Sequence, residues 1–103
     1  MRVVVSEQAK YNRNQIVRYI LREFGEKAVL DFREAYKKAK RTIANHPESG
    51  TEVEQLSDEQ HKYRFMVING LSIMLYRVDE DKKVVYIVDM WDTRRQPPKI
   101  VRL

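Results

Sequence analysis

Cysteine is absent from this 103-residue chain, and histidine is nearly so, with only His46 and His61. The first absence excludes disulfides and thiolate metal sites, and two histidines cannot hold a zinc ion without recruiting several carboxylates, so no metal and no other cofactor is expected. No stretch approaches the ~20 consecutive apolar residues of a membrane span. The N-terminal MRVVVSEQAKYNR turns polar after three valines, far short of the apolar core of a signal peptide. The expected place is the cytoplasm, with no membrane partner. Glycine and proline, three of each, are also scarce, while 43% of residues are hydrophobic. Such a chain buries enough apolar surface to offset its ordering, and its length accommodates one domain, residues 1–103, with a single modest core.

What is present falls into two periodicities. After a short strand-like VVV, Ser6 is placed to cap a helix, and Ala9, Ile16, Val17, Ile20, Leu21 and Phe24 recur at helical spacing. Gly25 supplies the left-handed residue that ends such a helix. From Glu26 to Asn45, Val29, Phe32, Tyr36, Ala39 and Ile43 step by three and four onto one stripe, and His46-Pro47 stops the second helix. Two helices joined this tightly form an antiparallel hairpin. Lys37, Lys38, Lys40 and Arg41 lie near the end of the second helix, where cations complement its dipole.

Beyond the polar loop the period becomes two. HKYRFMVI, Asn69-Gly70 and LSIMLYRV form a hairpin, because Asn-Gly accepts the positive φ values of a type I′ turn; DEDKK turns again into VVYIVDMW. The expected order is β-αα-βββ: an α+β fold in which an antiparallel sheet carries the helix hairpin on one face.

A two-residue turn pairs Met66 with Ile73 and Arg64 with Leu75 on one face, and Phe65 with Met74 and Tyr63 with Tyr76 on the other. Arg64, Arg77 and Asp89 would be costly to bury, so the helices are expected over the face holding Phe65, Met74, Tyr76, Tyr86, Val88 and Met90. Met66, Ile68, Leu71, Ile73, Leu75, Ile87 and Trp91 then form an apolar face that the helices leave open. A binding partner, the C-terminal tail or a homodimer would cover it.

The net charge is +5, and residues 1–50 hold all of this excess. Within the balanced second half, everything after Thr93 is basic: Arg94, Arg95, Lys99 and Arg102. Pro97-Pro98 ends strand pairing and holds that tip extended, where it attracts phosphates or acidic protein.

The strand, helix hairpin and three-stranded meander, with HPESGTEVEQL before the sheet, YRFMVINGLSIMLYRVD in it and VVYIVDMWDTRRQP at its end, together resemble the RelE/ParE superfamily of bacterial type II toxins. The resemblance covers nearly the whole chain and implies a toxin neutralised by a cognate antitoxin. Met66, Ile68, Ile73, Leu75 and Ile87 would then be the antitoxin-binding residues. RelE-like members cleave mRNA on the ribosome and ParE-like members inhibit DNA gyrase; a non-catalytic basic module for RNA or protein is a third class. The basic tip ranks ribosome-dependent cleavage slightly ahead. An endoribonuclease needs a base, an acid and cations on the phosphate. The resemblance puts Arg94 and Arg95 where the post-strand arginine is expected and Arg64 on the strand before the turn; His61, by its own chemistry, is a candidate acid or base or a structural strand-end residue. Arg64 and Arg77 would hold phosphate or pair with Asp79 and Asp89, Trp91 would stack on a base, anchor the antitoxin or close the sheet, and Lys99 and Arg102 would contact nucleic acid. Two positions depart from the RelE pattern: its mid-strand arginine falls on Ile73, and its late tyrosine falls near Lys99.

Overall fold

The computed structural model describes residues 1–59, 61–70 and 72–93. Strand β1 (Arg2–Val5) leads through Ser6 into helix α1 (Glu7–Phe24). The Ser6 hydroxyl accepts from the Ala9 N–H (3.0 Å), as an N-cap does, and donates to the Val88 carbonyl (2.9 Å), tying the start of the helix to the last strand. Gly25 takes a φ of 90°, which a side chain would resist, and its N–H reaches the carbonyls of Ile20 and Leu21. Helix α2 (Glu26–Asn45) begins at the next residue. Arg13 and Tyr36 lie nearly equidistant from Gly25 along the chain and meet at 5.7 Å, guanidinium carbon to ring centroid, so the two helices fold back on one another as expected.

A 3₁₀ turn (Pro47–Ser49) and the short β2 (Thr51–Glu52) precede the meander of β3 (Lys62–Ile68), β4 (Ser72–Asp79) and β5 (Val84–Asp92). The sheet order is β1-β5-β4-β3-β2. The meander is antiparallel, but β1 pairs in parallel with β5, matching Val3 to Val85 and Val5 to Ile87, so the five-stranded sheet is mixed. Helix α1 lies chiefly over β5, and α2 over β3 and β1. Their buried stripe, including Ile16, Ile20, Phe32, Tyr36 and Ile43, meets Ile68, Met74, Tyr76, Val85, Ile87 and Met90 of the sheet.

Which side chains meet the helices differs from the expectation on two strands of three. Asn69 and Gly70 do adopt positive φ (53° and 68°), yet Ile68 pairs with Ser72, so three positions rather than two separate the paired strands. One extra residue reverses the facing of β3 relative to β4. Met66 and Ile68 therefore face the helices, and Tyr63, Phe65 and Val67 the other side. Across the next turn Val78 pairs with Val85 rather than Val84, which brings Ile87 under the helices as well. A bulge between the Tyr76–Ile87 and Leu75–Asp89 pairs then shifts β5 once more, and Met90 and Trp91 return to the faces expected of them. Met66, Ile68 and Ile87 are thus part of, or packed on, the helix-covered core and not an open surface; Ile73 and Leu75 do lie on the far face, although Leu75 is buried.

Arg64 can join the covered side because it has partners there: its guanidinium reaches out to backbone carbonyls at the sheet edge. Asp89 pairs with Leu75 beside the bulge and is buried, and it accepts from the Asn12 side chain of α1 (2.7 Å). The register gives a direct test. Ile68→Ala should cost ~2–5 kcal/mol in urea unfolding, whereas Val67→Ala, at a half-exposed position, should cost well under half as much. The reverse order would restore the two-residue turn.

Candidate functional site

The loop after α2 is held to the sheet by one tyrosine and one arginine. Tyr76, fully buried, donates its hydroxyl to the Pro47 carbonyl (2.7 Å) and accepts from the Gly50 N–H (2.8 Å). Gly50 is there for space rather than for torsion: its φ is −78°, but a Cβ would come within 2.5 Å of the Tyr76 oxygen and 2.8 Å of the Phe65 carbonyl. Arg64, next to Tyr76 across the β3–β4 ladder, donates to the carbonyls of Gly50 (2.8 Å) and Glu48 (3.3 Å). The guanidinium fork suits such paired acceptors. Loop HPESGTE is therefore fastened at both ends of Ser49.

Beside this clasp opens a groove of about 650 Å³ at the end of the β3–β4 ladder. His61, Arg64 and Arg77, three of the residues singled out from the sequence, line it together. His61 sits 3.5 Å from the Asp58 carboxylate through Nδ1, and its N–H bonds the same oxygen at 2.7 Å. The Arg77 guanidinium stacks on the Tyr86 ring at 4.4 Å. The other lining charges are Lys62 and five carboxylates, those of Glu48, Glu59, Asp79, Glu80 and Asp81. Such a wall repels phosphate, and both arginines already have partners: one bonds backbone carbonyls, the other lies on an aromatic face.

Trp91 lies elsewhere. It pairs with Ile73, which pairs in turn with Val67, giving one row across three strands on the side away from the helices. Along β4 that row is four residues from Arg77, ~13 Å at the usual strand rise. Leu71, Arg94, Arg95, Lys99 and Arg102 lie outside the described residues. No group of three or more His, Asp or Glu that could hold a metal occurs among the described residues, and no described helix is long and apolar enough to cross a membrane.

The family described as ParE toxin of type II toxin-antitoxin system, parDE, matches residues 3–97. The chain belongs to the ParE toxin family. Among solved structures it is similar to a chain of the chromosomal ParDE toxin-antitoxin system from P. aeruginosa, with a TM-score of 0.68 over 89% of this chain and 95% of that one. At 12% identity that likeness speaks for the fold alone. No curated protein matches the chain. As a ParE-family toxin it has a cognate antitoxin as its partner, and its α+β fold carries the ParE arrangement of two helices on a mixed sheet.

The Tyr76 clasp was not visible in the sequence, although Tyr76 itself was correctly expected under the helices. Burial raises the Tyr76 phenol above its ordinary value of 10.0, against the opposing pull of the Gly50 N–H, Ser49 and the Arg64 charge. Because the folded state holds this proton more tightly, its contribution to stability is complete below pH ~10 and is lost as pH rises through the raised folded value. Titrating stability from neutral to strongly alkaline pH should therefore show a loss that Tyr76→Phe lacks, although that variant starts less stable by ~1–2 kcal/mol through its missing hydrogen bonds. Parallel pH curves for the two proteins would contradict the clasp.

Proposed function

We propose that this toxin arrests growth by inhibiting DNA gyrase rather than by cutting mRNA. The observation that carries this reading is the character of the groove. It gathers the residues an mRNA-cleaving site would use, but engages its arginines in structural contacts and faces them with five carboxylates. Transition-state charge on a phosphate calls for unengaged cations aimed at it, and this groove offers none that its neighbours do not already occupy or neutralise. ParE-family membership supports the same choice.

The antitoxin is best accommodated on the side of the sheet away from the helices, along Val67, Ile73 and Trp91. Val67 is exposed, Ile73 and Trp91 are half-buried, and the row adjoins the β3–β4 turn. This replaces the core residues Met66, Ile68 and Ile87 with neighbours of opposite facing.

Two assays separate the mechanisms. Purified protein added to gyrase and relaxed plasmid should abolish supercoiling, while a coupled translation extract retains full-length mRNA without new 5′ ends. New mRNA ends with undisturbed supercoiling would reject the gyrase reading. The basic tip is the segment we assign to target contact. Arg94→Ala combined with Arg95→Ala should relieve growth arrest and supercoiling inhibition together while the melting temperature stays unchanged; a fully toxic double variant would remove the tip from the mechanism.

A further inference from the structure

The basic cluster on α2 does not serve its helix end. The last turn of α2 contains no basic side chain; its carbonyls are met by the His46 N–H, on Thr42 (2.7 Å), and by the Met1 amine, on Ala44 (2.8 Å). The lysines and arginines instead form a lateral arc. At about 100° per residue, Lys40, Arg33, Lys37 and Arg41 fall side by side around roughly a quarter to a third of the helix circumference. Arg33, Lys37 and Arg41 form a straight ridge with ~6 Å between successive members.

Helix α1 adds to it. Arg13 and Lys40 both sit over the Tyr36 ring, 5.7 and 5.0 Å from its centroid, so one aromatic side chain holds a cation from each helix at their seam. None of these five cations forms an ion pair with a described residue, whereas Lys10, Arg22, Lys27, Lys62 and Lys83 each do. The hollow beside Lys37 and Arg41 also holds Asp31 and Glu34, but Asp31 is already paired with Lys27 at 3.4 Å. Five cations gathered beside one carboxylate that is not already paired, Glu34, leave an excess of like charge that raises the free energy of the isolated protein, and a polyanion relieves it.

The surroundings narrow the choice of polyanion. A protein interface needs an apolar centre; of the large exposed apolar residues of the helices, only Leu30 stands on the ridge's side of α2, one turn before Arg33 at its end, and Tyr11, Leu21 and Phe24 belong to α1. Single-stranded nucleic acid needs exposed rings on which to stack its bases, and the ring at this place, Tyr36, is buried beneath the cations. What remains is a convex cationic rod, suited to a regular line of phosphates contacted without base readout. We propose that the Arg33–Lys37–Arg41 ridge, extended by Arg13 and Lys40, is a sequence-independent binding surface for the phosphate backbone of duplex DNA. This surface is separate from the groove and from the basic C-terminal tip, and it stands whether or not gyrase is the target.

The test is binding of the full chain to a short fluorescein-labelled DNA duplex, followed by anisotropy between about 50 and 200 mM salt. Changing Arg33, Lys37 and Arg41 together to Gln should weaken binding at least tenfold at the low-salt end and reduce the slope of log K against log salt by about 2–3, since each lost phosphate contact removes nearly one unit. Glu34→Lys provides the opposite arm, free of any question of misfolding: it should tighten binding severalfold and steepen the slope by about 1. The same changes should appear when Arg94, Arg95, Lys99 and Arg102 are all replaced by Ala, which separates the ridge from the tip. Wild-type affinity and slope in the triple variant, or no response to Glu34→Lys, would overturn the proposal. So would displacement of the duplex by an equal charge of poly-glutamate, or tighter binding of duplex RNA than of DNA.

Discussion

The pairing of Ile68 with Ser72 sets the facing of every residue in β3 against the rest of the sheet. Side chains alternate along a strand, so a single added position in the turn exchanges the whole buried set for the exposed one. Here the exchange carries Met66 and Ile68 beneath the helices, next to Met74 and Tyr76, and leaves Tyr63, Phe65 and Val67 on the other side. The bulge in β5 is the complementary step. It lets Ile87 and Met90, three residues apart, both reach the core, and it places the Asp89 carboxylate where Asn12 of α1 meets it. The Ser6 bond to Val88 closes the same region, so the start of α1 is bound to the irregular part of β5.

Two sets of cations in this toxin have opposite fates. Arg64 and Arg77 are placed by the sheet and already engaged, one on the carbonyls of the Pro47–Gly50 loop and one on the ring of Tyr86. They secure structure around a groove whose carboxylates disfavour phosphate. Arg13, Arg33, Lys37, Lys40 and Arg41 of the helix hairpin form no ion pair with a described residue, and two of them are gathered on a single tyrosine. Among the described residues, this cluster of cations without ion pairs lies on the helices, away from the groove where the sequence pointed first. For a ParE-family toxin, this separates the surface proposed for duplex DNA from the sheet face proposed for the antitoxin.

Much was legible before any coordinates. The two helices, their Gly25 junction, the Ser6 cap and the Asn69-Gly70 turn follow from local rules, because periodicity, capping and positive φ are properties of adjacent residues. The superfamily was recognisable in the order of segments. His61, Arg64 and Arg77 were each named from the sequence and line one groove, but the contacts of the two arginines were not legible, since their partners come from distant parts of the chain: the Gly50 loop for Arg64 and β5 for Arg77.

What the sequence determined by itself is the two helices and the main strands, the stripe each helix buries and the superfamily to which the chain belongs. Only the tertiary structure decided strand parity, the parallel placement of β1 beside β5 and the engagement of each arginine. The reason is physical: a turn of two residues and one of three differ little in local energy, and the choice falls to whichever register buries Ile68 and Ile87 while giving Arg64 and Asp89 hydrogen-bonding partners.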